Sequence, residues 1–278
     1  QPGNIRRILI LKWSALGDVV IASAVMEDIA RAFPAAKIHL NTLPNCAGLF
    51  AHDPRFVEVW SIDVRSRRHR WANSLAWLKK ARAGRYDLAI DLQRSDHSRL
   101  LLTLLWLGGG APRVRVGNRG GFPYTHQPAL RKSGAHALPM MQSVLQAIGI
   151  PTNTTHPVLY PPPDRLAAVE ALMRQHGLVD GRYVVLLPGS AAAHPLKRWG
   201  AARFAELARL LKAQGVPKIV VIGGSDDIDE CAECGDVADH AFQDHADLEV
   251  AQFLDALGEA CRLELGARIA SWLLELGE

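Results

Sequence analysis

Apolar runs of strand length alternate with longer runs of helical period along this chain, and the strands close on short turns of glycine and small polar residues. The stretch ILILKWSALGDVVIASAVMEDIARAF (8–33) sets the pattern: a buried strand, a polar turn, then an amphipathic helix over 18–33. AKIHLNTL, FVEVWSI, YDLAIDLQ and RVRVGN read as further strands. Helical stretches over 71–83, 98–109 and 136–150 fall between or after them. Such alternation predicts the α/β class with parallel sheets. PTNTTHPVLYPPPD (151–164) then interrupts the pattern with β-branched polar residues and a triple proline, which favour a stiff extended segment. A second round follows: a connecting helix, the strand RYVVLLPGS, a helix over 199–215 and the strand KIVVIGGSDD. The expected domains are therefore 1–155 and 182–278, joined by a linker and helix over 156–181. Ligands of such folds bind at the C-terminal ends of the strands, here between two facing domains.

The 278 residues carry a net charge of +4, but the excess is local. Arg65, Arg67, Arg68, Arg70, Lys79, Lys80, Arg82 and Arg85 crowd one stretch, and Arg113, Arg115, Arg119, Arg131 and Lys132 follow. The first half is the basic half. It is either a solvated face or a surface for anionic partners such as phosphorylated sugars or acidic lipid. Nucleic acid is disfavoured, because the arginine-rich stretch lacks interleaved aromatics suited to stacking bases. No run approaches the roughly 20 apolar residues of a membrane-spanning helix. The start, QPGNIRR, leads directly into a strand and is read as no signal peptide. Cys231 and Cys234 form a lone CxxC without the second pair a zinc site needs, so Cys46, Cys231, Cys234 and Cys261 are read as thiols of a reducing cytoplasm.

Three turns carry candidate chemistry: KWSALGD, PGSAAAHPLKRW and GGSDD. None is a Walker loop and none is GxGxxG. PGS…LKRW offers backbone donors, the Ser190 hydroxyl and the Lys197 ammonium, a set suited to a phosphate or pyrophosphate, or else an ordinary turn with a surface lysine. Asp18 is either a cap at the helix start or a fixed, ionised base able to take a proton from a hydroxyl.

With these residues in view, the chain resembles glycosyltransferase family 9, the ADP-heptose–lipopolysaccharide heptosyltransferases. Lys12-Trp13-Ser14-Ala15-Leu16-Gly17-Asp18 resembles the family's K-x-S-x-[LM]-G-D motif. YDLAIDLQRSDHSR is similar to its Y-D-x-x-[IV]-D-x-Q segment, and RVRVGN to its R-x-G strand. PGSAAAHPLKRWGAARFAELARLL and VVIGGSDDIDE resemble its two C-terminal motifs. The resemblance implies two Rossmann-like domains in the GT-B arrangement, no metal and no cofactor. The expected reaction is inverting transfer of heptose, or a related sugar, from an ADP-sugar donor to an anionic glycolipid of the lipopolysaccharide inner core. It also implies Asp18 as catalytic base with Lys12 beside it. Gly189, Ser190, Lys197 and Asp227 would bind the donor, with Lys197 balancing charge on the departing diphosphate and Asp227 near the ribose. Arg65, Arg67, Arg68, Arg94 and Arg119 would suit the acidic acceptor. A cytoplasmic place with peripheral contact at the inner membrane face is implied as well.

Past about residue 235 the family's D-[ST]-G-x-x-H pyrophosphate loop has no counterpart. DHAFQDHADLE, with His240, Asp244, His245 and Asp247, is read as a polar loop rather than a metal cluster. The apolar tail is read as two helices with no further strand, so the C-terminal domain is expected to be incomplete. The alternative reading is therefore a non-catalytic glycan-binding or assembly-partner protein of the same descent.

Overall fold

The computed structural model of the protein describes residues 5–66, 68–117, 121–129, 136–189, 198–223 and 238–243, the last four by their backbone alone. The chain divides into two units, Gln1–Tyr160 and Pro161–Glu278.

The first unit is built on β1 (Arg7–Leu11), β2 (Lys37–Thr42), β3 (Glu58–Ser61), β4 (Leu88–Asp91) and β5 (Val114–Gly117). They form one parallel sheet in the order β3-β2-β1-β4-β5. Helix α1 (Leu16–Ala32) connects β1 to β2, α3 (Arg70–Gly84) connects β3 to β4, and α4 (Asp96–Leu107) connects β4 to β5. A one-turn helix α2 (Pro44–Ala47) follows β2, and α5 (Ala137–Gln146) follows β5 and packs on α1. The sheet is covered on both faces, so its central strand β1 is apolar on both sides beyond Arg7 rather than alternating. Leu9 and Leu11 of β1 face the cluster of Trp60, Trp77, Leu101 and Leu105, while Ile8 and Ile10 are buried on the other face. The α4 start is set locally, since the Ser95 hydroxyl accepts the Ser98 N–H at 3.0 Å.

One buried amide organises the aromatic side of this core. Asn41 Oδ1 accepts the indole N–H of both Trp13 and Trp77, each at 2.7 Å, and its Nδ2 donates to the Trp60 carbonyl at 3.1 Å. Asn41 and the three tryptophans are all buried. Asn41→Leu, of similar volume, leaves two indole donors without an acceptor. It is expected to cost about 1–3 kcal/mol, read as a lower urea midpoint at unchanged slope.

Residues 151–160 belong to the first unit and run as an irregular strap against α1. Asp28 accepts the Thr154 hydroxyl at 2.7 Å and its N–H at 3.2 Å. Ser23 Oγ accepts the Val158 N–H at 2.9 Å, and Tyr160 OH donates to Glu27 at 3.2 Å. Arg55 sits at the centre: it pairs with Asp53 at 2.6 Å and Glu27 at 3.2 Å, donates to the Val158 carbonyl at 2.9 Å, and lies over the Tyr160 ring. The strap therefore accounts for the acidic and hydroxyl side chains that α1 buries.

The second unit contains α6 (Pro163–Gln175), β6 (Tyr183–Leu186), α7 (Ala201–Ala213), β7 (Lys218–Gly223) and β8 (His240–Gln243). Its strands form a parallel sheet in the order β6-β7-β8. The third proline of the PPP run opens α6 rather than blocking it, because an N1 proline has a suitable φ and no hydrogen bond to lose. β8 corrects the sequence reading, which took DHAFQ as polar loop. The segment is only four residues long and flanked by charge, too short to show a period; pairing with β7 makes it a strand. The CxxC pair and the proposed tail helices lie outside the described residues.

Candidate functional site

In the order β3-β2-β1-β4-β5 the connections leave β1 toward β2 on one side and reach β4 on the other. The crevice outside the C-terminal ends of β1 and β4 is therefore the topological switch point of the sheet, where α/β folds bind ligands. The turn Lys12–Asp18 and the segment Asp91–Arg94 both emerge there.

The start of α1 differs from expectation. The helix begins at Leu16, with Ala15 as N-cap and the Val19 N–H bonded to the Ala15 carbonyl at 2.9 Å. Asp18 is thus the third helical residue, neither the first nor the cap, and it makes no side-chain cap bond. No side chain in the turn caps the helix; Ser14, the nearest hydroxyl, is engaged by Arg65 instead. Asp18 still lies in the first turn, where the helix dipole favours a carboxylate. Its side chain is 49% exposed, while that of Lys12, 4.0 Å away, is 4% exposed. Lys12 also donates to the Ser14 carbonyl at 3.0 Å. Burial pushes the Lys12 ammonium below the ordinary lysine range, against the opposing pull of Asp18, Asp91 and Cys46.

The turn is held by β4. Gln93 Oε1 accepts the N–H groups of Trp13 at 2.7 Å and Ser14 at 3.0 Å. Gln93 is oriented in turn by its own N–H to Asp91 Oδ1 at 2.9 Å. Asp91 is fully buried, and the Tyr124 hydroxyl donates to it at 2.6 Å. Burial pushes the Asp91 carboxyl up, opposed by Tyr124, Ser98, the Gln93 N–H and the Lys12 charge. Gly117 makes the Tyr124 contact feasible: a Cβ there would lie 2.7 Å from the Tyr124 ring and 3.0 Å from the Asp91 Cβ. Asp91, Gln93 and Tyr124 received no role from the sequence. Their signal was the D-x-Q pair at a strand end and the glycine closing the next strand.

Of the acceptor candidates, Arg65 reaches the site directly, donating to Ser14 Oγ at 2.6 Å. Arg94 sits at the end of β4 with a left-handed backbone, φ 53°, and its guanidinium approaches the Met140 sulfur at 3.5 Å. Arg68 is exposed just before α3, and among the described residues no hydrogen bond or ion pair joins it to the turn. In the second unit, Gly189 ends the segment after β6 and is partly buried. Arg67, Arg119, Ser190, Lys197 and Asp227 lie outside the described residues.

Gly17 is informative for a different reason. A Cβ on it would meet nothing within 4 Å among the described residues, and its φ is not left-handed. Packing therefore does not require a glycine beside Asp18. Gly17→Ala is expected to keep or raise stability by up to about 1 kcal/mol, read as an unchanged or higher melting temperature.

A Rossmann-ordered sheet with a half-exposed carboxylate and a buried ammonium at its switch point defines an α/β protein with a candidate site at the carboxyl edge of its first unit. The chain belongs to glycosyltransferase family 9 (heptosyltransferase), whose family model matches residues 75–248. It is a glycosyltransferase of that family, and the α/β parallel-sheet fold expected from the sequence is the one found. The match covers both units yet begins after the KWSALGD turn. No individually curated protein sequence matches the chain significantly. Among solved structures, the family 9 glycosyl transferase of Veillonella parvula aligns with a TM-score of 0.74 at 20% identity, over 93% of this chain and 74% of that one. The ADP-heptose lps heptosyltransferase II of E. coli aligns with a TM-score of 0.62 at 21% identity, over 90% and 76%. The E. coli heptosyltransferase WaaC with ADP-2-deoxy-2-fluoro heptose aligns at 0.63 and 20%, over 91% and 85%. These identities establish a shared fold.

Proposed function

We propose that the protein transfers heptose, or a related sugar, from an ADP-sugar to a hydroxyl of an anionic inner-core glycolipid, with inversion and without a metal. The observation that carries this reading is Asp18: a half-exposed carboxylate in the first turn of α1, 4.0 Å from a buried ammonium. Asp18 takes the acceptor proton while the acceptor oxygen attacks the anomeric carbon from the face opposite the diphosphate. The anomeric C–O bond breaks and ADP leaves with its electron pair. Lys12 holds the Asp18 carboxylate in place and keeps positive charge beside it. Gln93 and Asp91 fix the turn that carries both, so the base is in position before the substrate arrives.

The departing diphosphate needs positive charge, and Lys197 with the Ser190 hydroxyl and the Gly189 backbone is the set assigned to it, with Asp227 near the ribose. Arg65, Arg67, Arg68, Arg94 and Arg119 are assigned to the acidic acceptor. The E. coli relative solved with an ADP-heptose analogue supports the choice of donor class.

The test is a transfer assay with ADP-heptose and a deacylated inner-core acceptor, read by mass spectrometry of the product in the presence of EDTA. The expected result is one heptose added per acceptor with no loss on chelation. No product with any ADP-sugar, although the donor still binds, would overturn the transferase reading in its specific form.

A further inference from the structure

The basic residues are more concentrated than the overall charge suggests. Residues 64–163 hold fifteen Lys and Arg against three Asp and Glu, so the rest of the chain is net acidic. Of the three carboxylates, Asp91 is buried and Asp87 accepts the backbone N–H groups of Arg6 and Arg7. The third, Asp96, is exposed and lines the same groove as Arg70.

Within this stretch, α3 and α4 pack together and leave a groove of about 510 Å³ between them. Its rims are apolar and open to solvent: Trp71 is 80% exposed, Leu75 69% and Leu100 52%, and Leu104 and Leu107 continue the α4 rim. The spacings 71/75/79/82 on α3 and 100/104/107 on α4 each mark one helical face. Along the α3 face, apolar residues give way to Lys79 and Arg82, which line a second hollow with Arg85. Arg70 lies over the Trp71 ring, 5.6 Å from its centroid. An exposed apolar stripe of this size marks an interaction surface.

We propose that the α3–α4 face docks on an anionic lipid bilayer, with Trp71, Leu75 and Leu100 entering the headgroup–acyl boundary and Arg70, Lys79, Arg82 and Arg85 meeting lipid phosphates. The charge asymmetry favours this occupant: the exposed apolar stripe is set in a stretch with a strong excess of cations, even with Glu58 paired to Lys80, and that combination fits a negative lipid surface. Aromatic and aliphatic side chains flanked by arginine and lysine are the composition that partitions to an interface, the long cationic side chains reaching outward to phosphate. No described helix is long and apolar enough to cross a membrane, so the contact is at the surface. The groove also leads to the site. His97, on its wall, meets the Trp13 ring edge-on at 5.6 Å, and Trp13 adjoins Lys12. His97 and Trp13 thus link the groove wall to the turn that carries Lys12, so a docked protein would hold that turn on the side of the molecule that meets the lipid.

This goes beyond the transfer reading, because lipid binding is measured with neither donor nor acceptor present. The experiment is flotation of the full chain with vesicles of phosphatidylcholine alone or mixed with phosphatidylglycerol. The expected result is binding to the mixed vesicles only. Lys79→Glu with Arg85→Glu, and separately Trp71→Ser with Leu75→Ser and Leu100→Ser, should each lower partitioning about tenfold or more, with melting temperatures unchanged because these side chains are exposed. Three results would overturn the proposal: no binding to anionic vesicles; equal binding by both variants, which would assign the contact to another segment such as the apolar stretch after 243; or a concentration-dependent dimer dissolved by the same substitutions, which would assign the face to a second copy of the chain.

Discussion

Asp18→Asn is expected to lower kcat by roughly 10²–10⁴-fold while leaving the affinity for ADP within about twofold. The substitution keeps the size of the side chain and its place in the first turn of α1, but an amide cannot accept the hydroxyl proton. The loss should therefore appear in kcat and kcat/KM together, the pattern of an interaction made only in the transition state. The fold should tolerate the change, because Asp18 is half exposed and makes no cap hydrogen bond. Pre-steady-state transfer and isothermal titration with ADP separate the two quantities. Full turnover by the variant would remove the base assignment and leave Asp18 with its dipole role alone.

Arg55→Ala is expected to destabilise the first unit by about 3–5 kcal/mol, the range for breaking a buried ion pair from one side. The guanidinium is 5% exposed and touches two carboxylates, a carbonyl of the strap and two aromatic rings. Removing it leaves the buried Asp53 without its cation, leaves Glu27 with Arg31 alone at 2.9 Å, and frees the Val158 carbonyl. Denaturant unfolding followed by tryptophan emission should show the lower midpoint. Proteolysis within 151–160 should accelerate at the same time, because the strap loses its central tie. A second variant, Arg55→Lys, should recover little, since one ammonium cannot reproduce the fork that holds Asp53 at two oxygens.

The class of the fold was legible because periodicity reports burial, and each sheet contains a strand with an unmistakable apolar run, RILIL in the first and KIVVIG in the second. β8 was not legible: four residues with one aromatic carry no period, and only a neighbouring strand makes them part of a sheet. The α1 helix was legible as a helix but not in its surroundings. Ser23, Glu27 and Asp28 are polar residues of an amphipathic helix, yet the strap from 151–160 buries them. That contact spans more than 120 residues of sequence, and no local pattern encodes it. At the candidate site, Lys12 and Asp18 were visible because they share one short turn. Asp91, Gln93 and Tyr124 act on that turn from about 80 to 110 positions away, so their relation to it exists only after the sheet has formed. Asn41 was hidden for the same reason, as a polar residue in a strand whose partners come from three other segments.

The shared amide at Asn41 gives the protein a built-in optical reporter. Trp13 stands next to Lys12 in the turn and is hydrogen-bonded to the same oxygen as Trp77, deep in the core. Any molecule settling against Lys12 alters the field at one indole of this coupled pair. Its arrival should register as a change in intrinsic emission, with no label attached.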